Sequence, residues 1–230
     1  MAAPTRFPSG VTNSRPTAPL GNYGLPNPVS YHEFHNDFDF YTSGSWTNTT
    51  TGTGTVALTA GDGGLLAIVT SATSADNVFL QKTTECFLME TGKPAWFAAR
   101  FKVSAATTSS VAIGLQVTDT TPLDVTDGIY FLVSTGSANV SIICRKNAST
   151  GSTSATVGTL VSDTFTELAW YWDGKDTVAY FQDGVQKGSL TGVASAYLPD
   201  TTLTPSMGIQ TGSAAAKTLT VDYLFASKAR

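Results

Sequence analysis

The side chains able to do chemistry are few in this chain, and they do not gather. Only four glutamates occur in 230 residues: Glu33, Glu85, Glu90 and Glu167. General acid and base work on a glycosidic bond needs two carboxylates facing one another across about 5–10 Å. Glu85 and Glu90 stand five positions apart in ECFLME, so a regular strand would point them to opposite faces. Asp37 and Asp39 in DFDFY would share a face, but no third acidic partner accompanies them. They read as the exposed face of an edge strand that opens the folded domain. His32 and His35 are the only histidines. With Glu33 and Asp37 they supply ligand atoms for a metal, yet YHEFHND offers no rigid frame to hold one, and it reads as a surface junction or subunit contact. Asp119, Asp124 and Asp127 fall close together in TDTTPLDVTDG. Calcium would need their oxygens to converge, whereas aspartate favours turns by bonding its own backbone, which is the reading taken. Cys86 and Cys144 sit among apolar residues and read as two buried free thiols, with no zinc-type spacing to the histidines. No Gly-x-Ser-x-Gly elbow occurs. The expectation is a protein without a catalytic site, a metal or a cofactor, and therefore not an enzyme.

The elements that carry these residues are strands. Threonine occurs 37 times, and its branched β-carbon favours pleated backbone over helix. Charged residues make up 13% of the chain, about half the usual ~25%, while the 41% hydrophobic fraction suffices for a core. The net charge is −4 and no run of Lys or Arg exists, which argues against nucleic acid as a partner. No apolar stretch approaches the ~18 residues that cross a bilayer, so a membrane is not expected either. MAAPTRFPSG lacks the apolar run of a secretion signal, so the chain is expected to be made and kept in a cytoplasm, or released from it by lysis. The sequons at Asn48, Asn139 and Asn147 then read as chance matches.

Two regions differ in grammar. Residues 1–36 read as an extended Pro-rich arm, and 37–230 as one β domain. Six of the ten prolines lie between Pro4 and Pro28, where they remove donors and push preceding residues to extended backbone. The arm also carries Phe7, Leu20, Tyr23, Leu25, Tyr31 and Phe34, which a mere spacer would not need. It is read as laying apolar side chains on a partner surface; packing on its own domain, or disorder, is the open alternative. From Asp37 onward, short apolar runs alternate with turn signals: TVALTA, LLAIVTS, NVFLQK, AWFAARFKVS, SVAIGLQVTD, GIYFLVST and NVSIICRK. Segments 104–110 and 147–156 are rich in Ser and Thr and read as exposed loops. In FTELAWYWDGKDTVAYFQDGVQKGSL, Leu168, Trp170 and Trp172 share a face, and Asp183-Gly184 signals a tight hairpin. The whole stretch is a three-stranded meander. KTLTVDYLFASK closes the chain, with Leu219, Val221, Tyr223 and Phe225 on one face of a regular strand. Sugar-stacking aromatics would come from Trp46, Trp96, Trp170 and Trp172. Trp170 and Trp172 belong with the core face, which leaves Trp46, in the loop-like SGSWTNTTTG, as the best exposed candidate.

AWYWDGKDTVAYFQDGVQ and the closing TVDYLFAS resemble the concanavalin-A-like jelly rolls of lectins, laminin-G-type domains and family-sixteen glucanases. The resemblance covers the meander and the last strand only. It implies an all-β antiparallel sandwich behind an extended N-terminal arm. Glucanases of that group use a strand patterned Glu-x-Asp-x-x-Glu, which is not found here. A second resemblance, of the whole-chain profile, is to the head cement (decoration) proteins of tailed bacteriophages: Thr/Ser/Gly/Ala-rich, charge-poor, with an arm ahead of a jelly roll. It implies a homotrimer on the capsid surface, assembled in the host cytoplasm, bridging and stabilising major capsid protein subunits. On that reading Phe7, Leu20, Tyr23, Leu25, Tyr31 and Phe34 are the anchors that bind capsid and neighbouring subunits. The alternative is a glycan- or receptor-binding lectin-like module of a head or tail fibre, with Trp46 as its contact.

Overall fold

The computed structural model describes residues 30–149 and 153–230. Of the expected anchors, Phe7, Leu20, Tyr23 and Leu25 lie outside these residues. In chain order the strands are β1 (Tyr31–Asn36), β2 (Trp46–Thr51), β3 (Thr55–Thr59), β4 (Leu65–Val69), β5 (Asn77–Lys82), β6 (Phe87–Leu88), β7 (Ala95–Val103), β8 (Ser109–Gln116), β9 (Gly128–Val133), β10 (Asn139–Arg145), β11 (Thr153–Thr159), β12 (Thr166–Trp172), β13 (Val178–Gln182), β14 (Val185–Leu190), β15 (Thr202–Thr211) and β16 (Thr218–Ala229). A single helical turn, α1 (Val193–Ala196), links β14 to β15. The strands form two eight-stranded antiparallel sheets. One runs β14-β13-β12-β7-β16-β4-β3, with β1 also paired to β16. The other runs β11-β10-β9-β8-β15-β5-β2, with β6 also paired to β15. They are called here the β16 sheet and the β15 sheet.

Alternation along each strand builds the core between them. β7 turns Phe97, Ala99, Phe101 and Val103 inward, and β12 turns Leu168, Trp170 and Trp172 inward. The Phe97 and Trp170 rings stack at 5.9 Å with 17° between planes. From the β15 sheet, Val78, Leu80, Val111, Ile113, Ile129, Phe131, Met207 and Ile209 meet them. The expected meander is present as β12-β13-β14, and Asp183 (φ 52°) with Gly184 (φ 73°) makes its second turn. Both turn residues have positive φ, as a type I′ turn requires.

Several expectations need correction. Strand β1 pairs with β16 from Tyr31↔Ala229 to Asn36↔Leu224, so the last six residues assigned to the arm lie in the sheet. DFDFY is no strand: the chain bends there, with Phe38 at φ 51° and its ring buried, and Asp37 and Asp39 share no strand face. Trp46 is not on a loop but begins β2, and alternation turns it inward, where it is 6% exposed and meets Phe34 edge-on at 6.1 Å. Residues 153–156, read as the end of a loop, begin β11. Cys86 is exposed, while Cys144 is buried, and both are free. In β16 the register slips between Val221 and Tyr223, leaving Asp222 as a bulge. Leu219 and Val221 face the core before the bulge and Leu224 and Ala226 after it, so Tyr223 and Phe225 face outward. One extra residue flips every side chain beyond it, which the period-two reading of KTLTVDYLFASK did not include.

Candidate functional site: two outward faces

Each sheet has an outward face, and the two are finished differently. On the β15 sheet, registered neighbours place Phe79 (β5), Gly208 (β15), Ala112 (β8) and Leu132 (β9) in one row. Gln81, Ser206, Gly114 and Tyr130 make the next row. The two glycines leave room for rings. A Cβ on Gly208 would stand 2.2 Å from Phe79 Cδ1, and one on Gly114 would stand 2.4 Å from Tyr130 Cβ. The aromatic side chains therefore press onto bare backbone. Residues 117–127 then fold across them: Val117, Leu123 and Val125 join Phe79, Ala112 and Tyr130 in a second apolar cluster. Two buried glutamines clamp this loop. Gln81 Nε2 donates to the Val117 carbonyl (3.0 Å), and its Oε1 accepts from the Asp119 N–H (2.9 Å). Gln116 Nε2 donates to the Pro122 carbonyl (2.8 Å). Burial pushes the Tyr130 phenol up to about 12, so it stays neutral under this cover. What remains open is a shallow cavity of about 200 Å³ bounded by Phe79, Pro122, Leu123, Asp124, Asn77 and Gln210.

The outward face of the β16 sheet carries aromatics over alanines. Across β1, β16, β7, β12 and β13, one row reads Glu33, Ser227, Trp96, Tyr171, Ala179, and the next His35, Phe225, Ala98, Ala169, Phe181. Trp96 lies 5.2 Å from Tyr31 at 71° and 5.1 Å from Tyr171 at 43°. His35 lies 6.5 Å from both Tyr223 and Phe225. Charged groups gather at one end. Tyr223 donates its hydroxyl to Glu167 at 2.6 Å, Arg100 pairs with the bulged Asp222, and the Arg100 guanidinium lies 4.4 Å above the Phe165 ring. Burial, with the Glu167 carboxylate beside it, pushes the Tyr223 phenol far up, which keeps it a donor.

The residues singled out in the sequence are mostly kept apart. His32 and His35 point to opposite faces of β1: His32 packs inward on Phe87 at 4.7 Å, and His35 looks out. Asp119 caps its own turn at Thr121, Asp124 pairs with Arg145, and Asp127 accepts from the Asn147 N–H (3.2 Å). These three carboxylates do not converge, and among the described residues no three His, Cys, Asp or Glu side chains form a metal cluster. Glu85 accepts from the Thr118 N–H (2.6 Å) and Glu90 from Lys228 and Lys93, in separate places. Tyr31 belongs to the outward aromatic strip, whereas Phe34 packs against the core. The strip itself was half visible in the sequence. Alternation in AWFAARFKV puts Trp96, Ala98 and Arg100 on one face, but nothing local brings Phe225 beside them, because the bulge at Asp222 does that.

No family model matches the chain, and no curated protein matches it. Solved structures do. A protein of unknown function from Shewanella oneidensis MR-1 aligns at TM-score 0.61 and 18% identity, over 95% of each chain. A prokaryotic β-1,3-1,4-glucanase (lichenase) derived from a mouse hindgut metagenome aligns at 0.59 and 15%, over 84% of this chain and 97% of its own. The carbohydrate recognition domain of Emp47p aligns at 0.59 and 11%, over 88% and 98%. The fold is a concanavalin-A-like jelly roll. At these identities the likeness speaks for fold alone. It also corrects one expectation. The chain was read as no enzyme because a glucanase carboxylate pattern is missing, but glycoside hydrolases, an endo-1,3-β-glucanase and a transglycosylase among them, share this sandwich. A fold that carries hydrolases and lectins alike leaves enzymatic activity open, and one absent sequence pattern does not close it.

Proposed function

We propose that this lectin-like jelly roll is a structural virion protein, a decoration protein that bridges neighbouring capsid subunits. The observation that carries the reading is how the N-terminal segment is attached. Strand β1 is zipped to the C-terminal strand β16 over six register pairs, and the Arg230 N–H donates to the Ser30 carbonyl at 3.0 Å. Tension on residues preceding Ser30, directed along β1, loads that ladder in shear, so all its bonds share it. A segment fastened this way can tie a rigid sandwich to a partner. Many weak contacts, repeated by the symmetry of a shell, then give avidity without one strong site. The charge-poor, Thr-rich composition and the apolar residues Phe7, Leu20, Tyr23 and Leu25, which precede β1 in the sequence, fit that role. The test is stoichiometry and attachment. Quantitative mass spectrometry of purified particles should find about as many copies as the symmetry-related capsid positions require, and a chain lacking residues 1–29 should be lost from shells. Undiminished binding by the shortened chain would refute the tether.

A second reading is carbohydrate binding, favoured by Tyr31 and Tyr171, each within about 5 Å of Trp96 on an outward face. Aromatic rows of this kind stack on the apolar faces of sugars. The discriminating observation is a glycan array and a β-glucan turnover assay on the purified chain. Saturable binding lost in Tyr171→Ser, or release of reducing ends, would favour this reading.

A further inference from the structure

Residues 37–45 carry the chain from the β16 sheet to the β15 sheet, and beside them the edge of the sandwich holds a cavity. The crossing is fastened at both ends. Asn36 Oδ1 accepts from the Phe38 N–H (3.0 Å), and the Phe38 ring goes into the core. One helical turn, Ser43–Ser45, then delivers the chain to β2. The Ser45 carbonyl accepts from both the N–H (3.1 Å) and the hydroxyl (3.2 Å) of Thr83, just past the end of β5. The cavity measures about 190 Å³.

Its lining has a consistent chemistry. Phe34 and Trp46, edge-on at 6.1 Å, supply apolar wall, and Phe40 adds a ring that is 66% exposed. Phe38, two positions earlier, is buried, so the crossing puts one ring into the core and leaves the other outside. The polar lining is rich in donors: the Lys82 ammonium, the His35 imidazole, the Asn36 amide with its oxygen already engaged, and the hydroxyls of Thr42 and Ser45. No carboxylate lines it, although Asp37 and Asp39 lie in the same crossing. The ion pairs among the described residues use Lys93, Arg100, Arg145, Lys146 and Lys228, and leave Lys82 without one. In a chain of net charge −4, an unpaired cation beside aromatic rings marks a place of opposite local sign, which draws an anion. The volume equals about six waters in the liquid and falls below the roughly 300–1,000 Å³ of sites for drug-sized ligands. It suits a single six-membered ring with its substituents.

We infer that this cavity binds one carboxylate-bearing sugar residue, of the uronic acid kind. The carboxylate pairs with Lys82, the apolar face of the ring lies on Phe40, and the ring hydroxyls meet Asn36, Thr42 and Ser45. Competing ligand classes each leave part of the lining idle. An uncharged sugar leaves Lys82 unpaired, a bare anion leaves Phe40 unused, and an aromatic acid has no hydroxyls for the amide and the two Oγ atoms. Trp46, which the sequence offered as an open stacking platform, serves here as wall. The site shares no residue with the row of Tyr31, Trp96 and Tyr171 and needs no shell, so it rests on neither reading above.

The experiment is a titration of the ¹⁵N-labelled full chain with sodium glucuronate, and in parallel with glucose and with sodium benzoate, read by amide chemical shifts. Glucuronate is expected to give saturable shifts centred on residues 34–46 and on Lys82, and to bind about tenfold or more tightly than either control, because a charge-assisted hydrogen bond is at stake. Lys82→Gln should weaken glucuronate by a similar factor, and rising salt should weaken it too. Phe40→Ala should weaken it about fivefold by removing the stacking face. Phe40 is exposed, so this variant stays informative even if Lys82→Gln disturbs the end of β5. Equal binding of glucose would show that charge is not read, and equal binding of benzoate would assign the cavity to aromatic acids; either result overturns the inference, as does the absence of any saturable shift. Loss of the glucuronate response in Tyr171→Ser but not in Lys82→Gln would move binding to the outward row, overturning this site while upholding the carbohydrate reading.

Discussion

Phe79 on one outward face and Phe225 on the other are both aromatic, both on strands, and both turned away from the main core. Phe79 is 2% exposed under residues 117–127, which cross the β15 sheet and are clamped by Gln81 and Gln116. Phe225 is half-buried on the β16 sheet, beside His35 and Tyr223. The β15 face has been made into a third layer by a loop that belongs to the described sandwich, while no described strand lies over the aromatic β16 face. A face closed by its own chain contributes to stability; an aromatic face without such a layer is where recognition can take place.

The comparison breaks most easily at the aromatic rings. Phe79→Ala removes a fully covered ring and should cost about 3–5 kcal/mol of unfolding free energy, as large core truncations do. Phe225→Ala removes a half-covered one and should cost about 1 kcal/mol, in the range of an exposed-side substitution with some packing. Urea denaturation of the two variants side by side checks both. Equal losses would mean that the loop is not a true layer.

The clamp comes next. Gln81 is fully buried and bonds the Val117 carbonyl, the Asp119 N–H and the Ser206 hydroxyl (3.2 Å). Gln81→Ala leaves these groups without their partner, at about 2–3 kcal/mol in total. Amide hydrogen exchange should then rise in residues 117–127 and stay unchanged in β1. On the other face, Glu167→Gln keeps an acceptor for Tyr223 but removes its charge, and the loss should be under about 1 kcal/mol.

Much of the sandwich was legible because its strands obey period two. Leu168, Trp170 and Trp172 fell on one face, Asp183-Gly184 marked its own turn, and LLAIV, NVFLQ and GIYFLV announced buried strands. What stayed hidden did so for identifiable reasons. TLTPSMGIQT forms β15, a central strand, although Pro205 argues against one. The proline is tolerated where the neighbouring chain breaks between β5 and β6, and the Thr204 hydroxyl donates there to the carbonyls of Lys82 (2.8 Å) and Thr84 (3.2 Å). β2 and β11 are mostly Thr, Ser, Asn and Gly, whose composition looks the same in a loop and in a two-sided polar strand. Trp46 was misplaced for that reason: its neighbours Thr47 and Asn48 are exposed, and only the pairing with β5 fixes its inward turn. The aromatic strip was hidden by the Asp222 bulge, since a face assembled across β1, β16, β7 and β12 leaves no contiguous trace.

The smallest expected effect concerns the edge where the β16 face ends. Glu90 Oε2 accepts from Lys228 at 2.6 Å and from Lys93 at 2.9 Å, joining the last strand to the turn before β7. These hydrogen bonds, from Lys228 first, hold its carboxyl at about 2, below the ordinary 4.5. A carboxyl lowered on folding binds fewer protons in the folded state than in the unfolded one. Its contribution is therefore complete above the ordinary value and fades as pH falls toward 2. Glu90 is exposed to solvent, so the contribution is small and screened by salt. Glu90→Gln should lower the melting temperature slightly at pH 6, and the two melting curves should meet near pH 2. If the gap persists at pH 2, the carboxylate's charge is not what joins Lys228 to the turn.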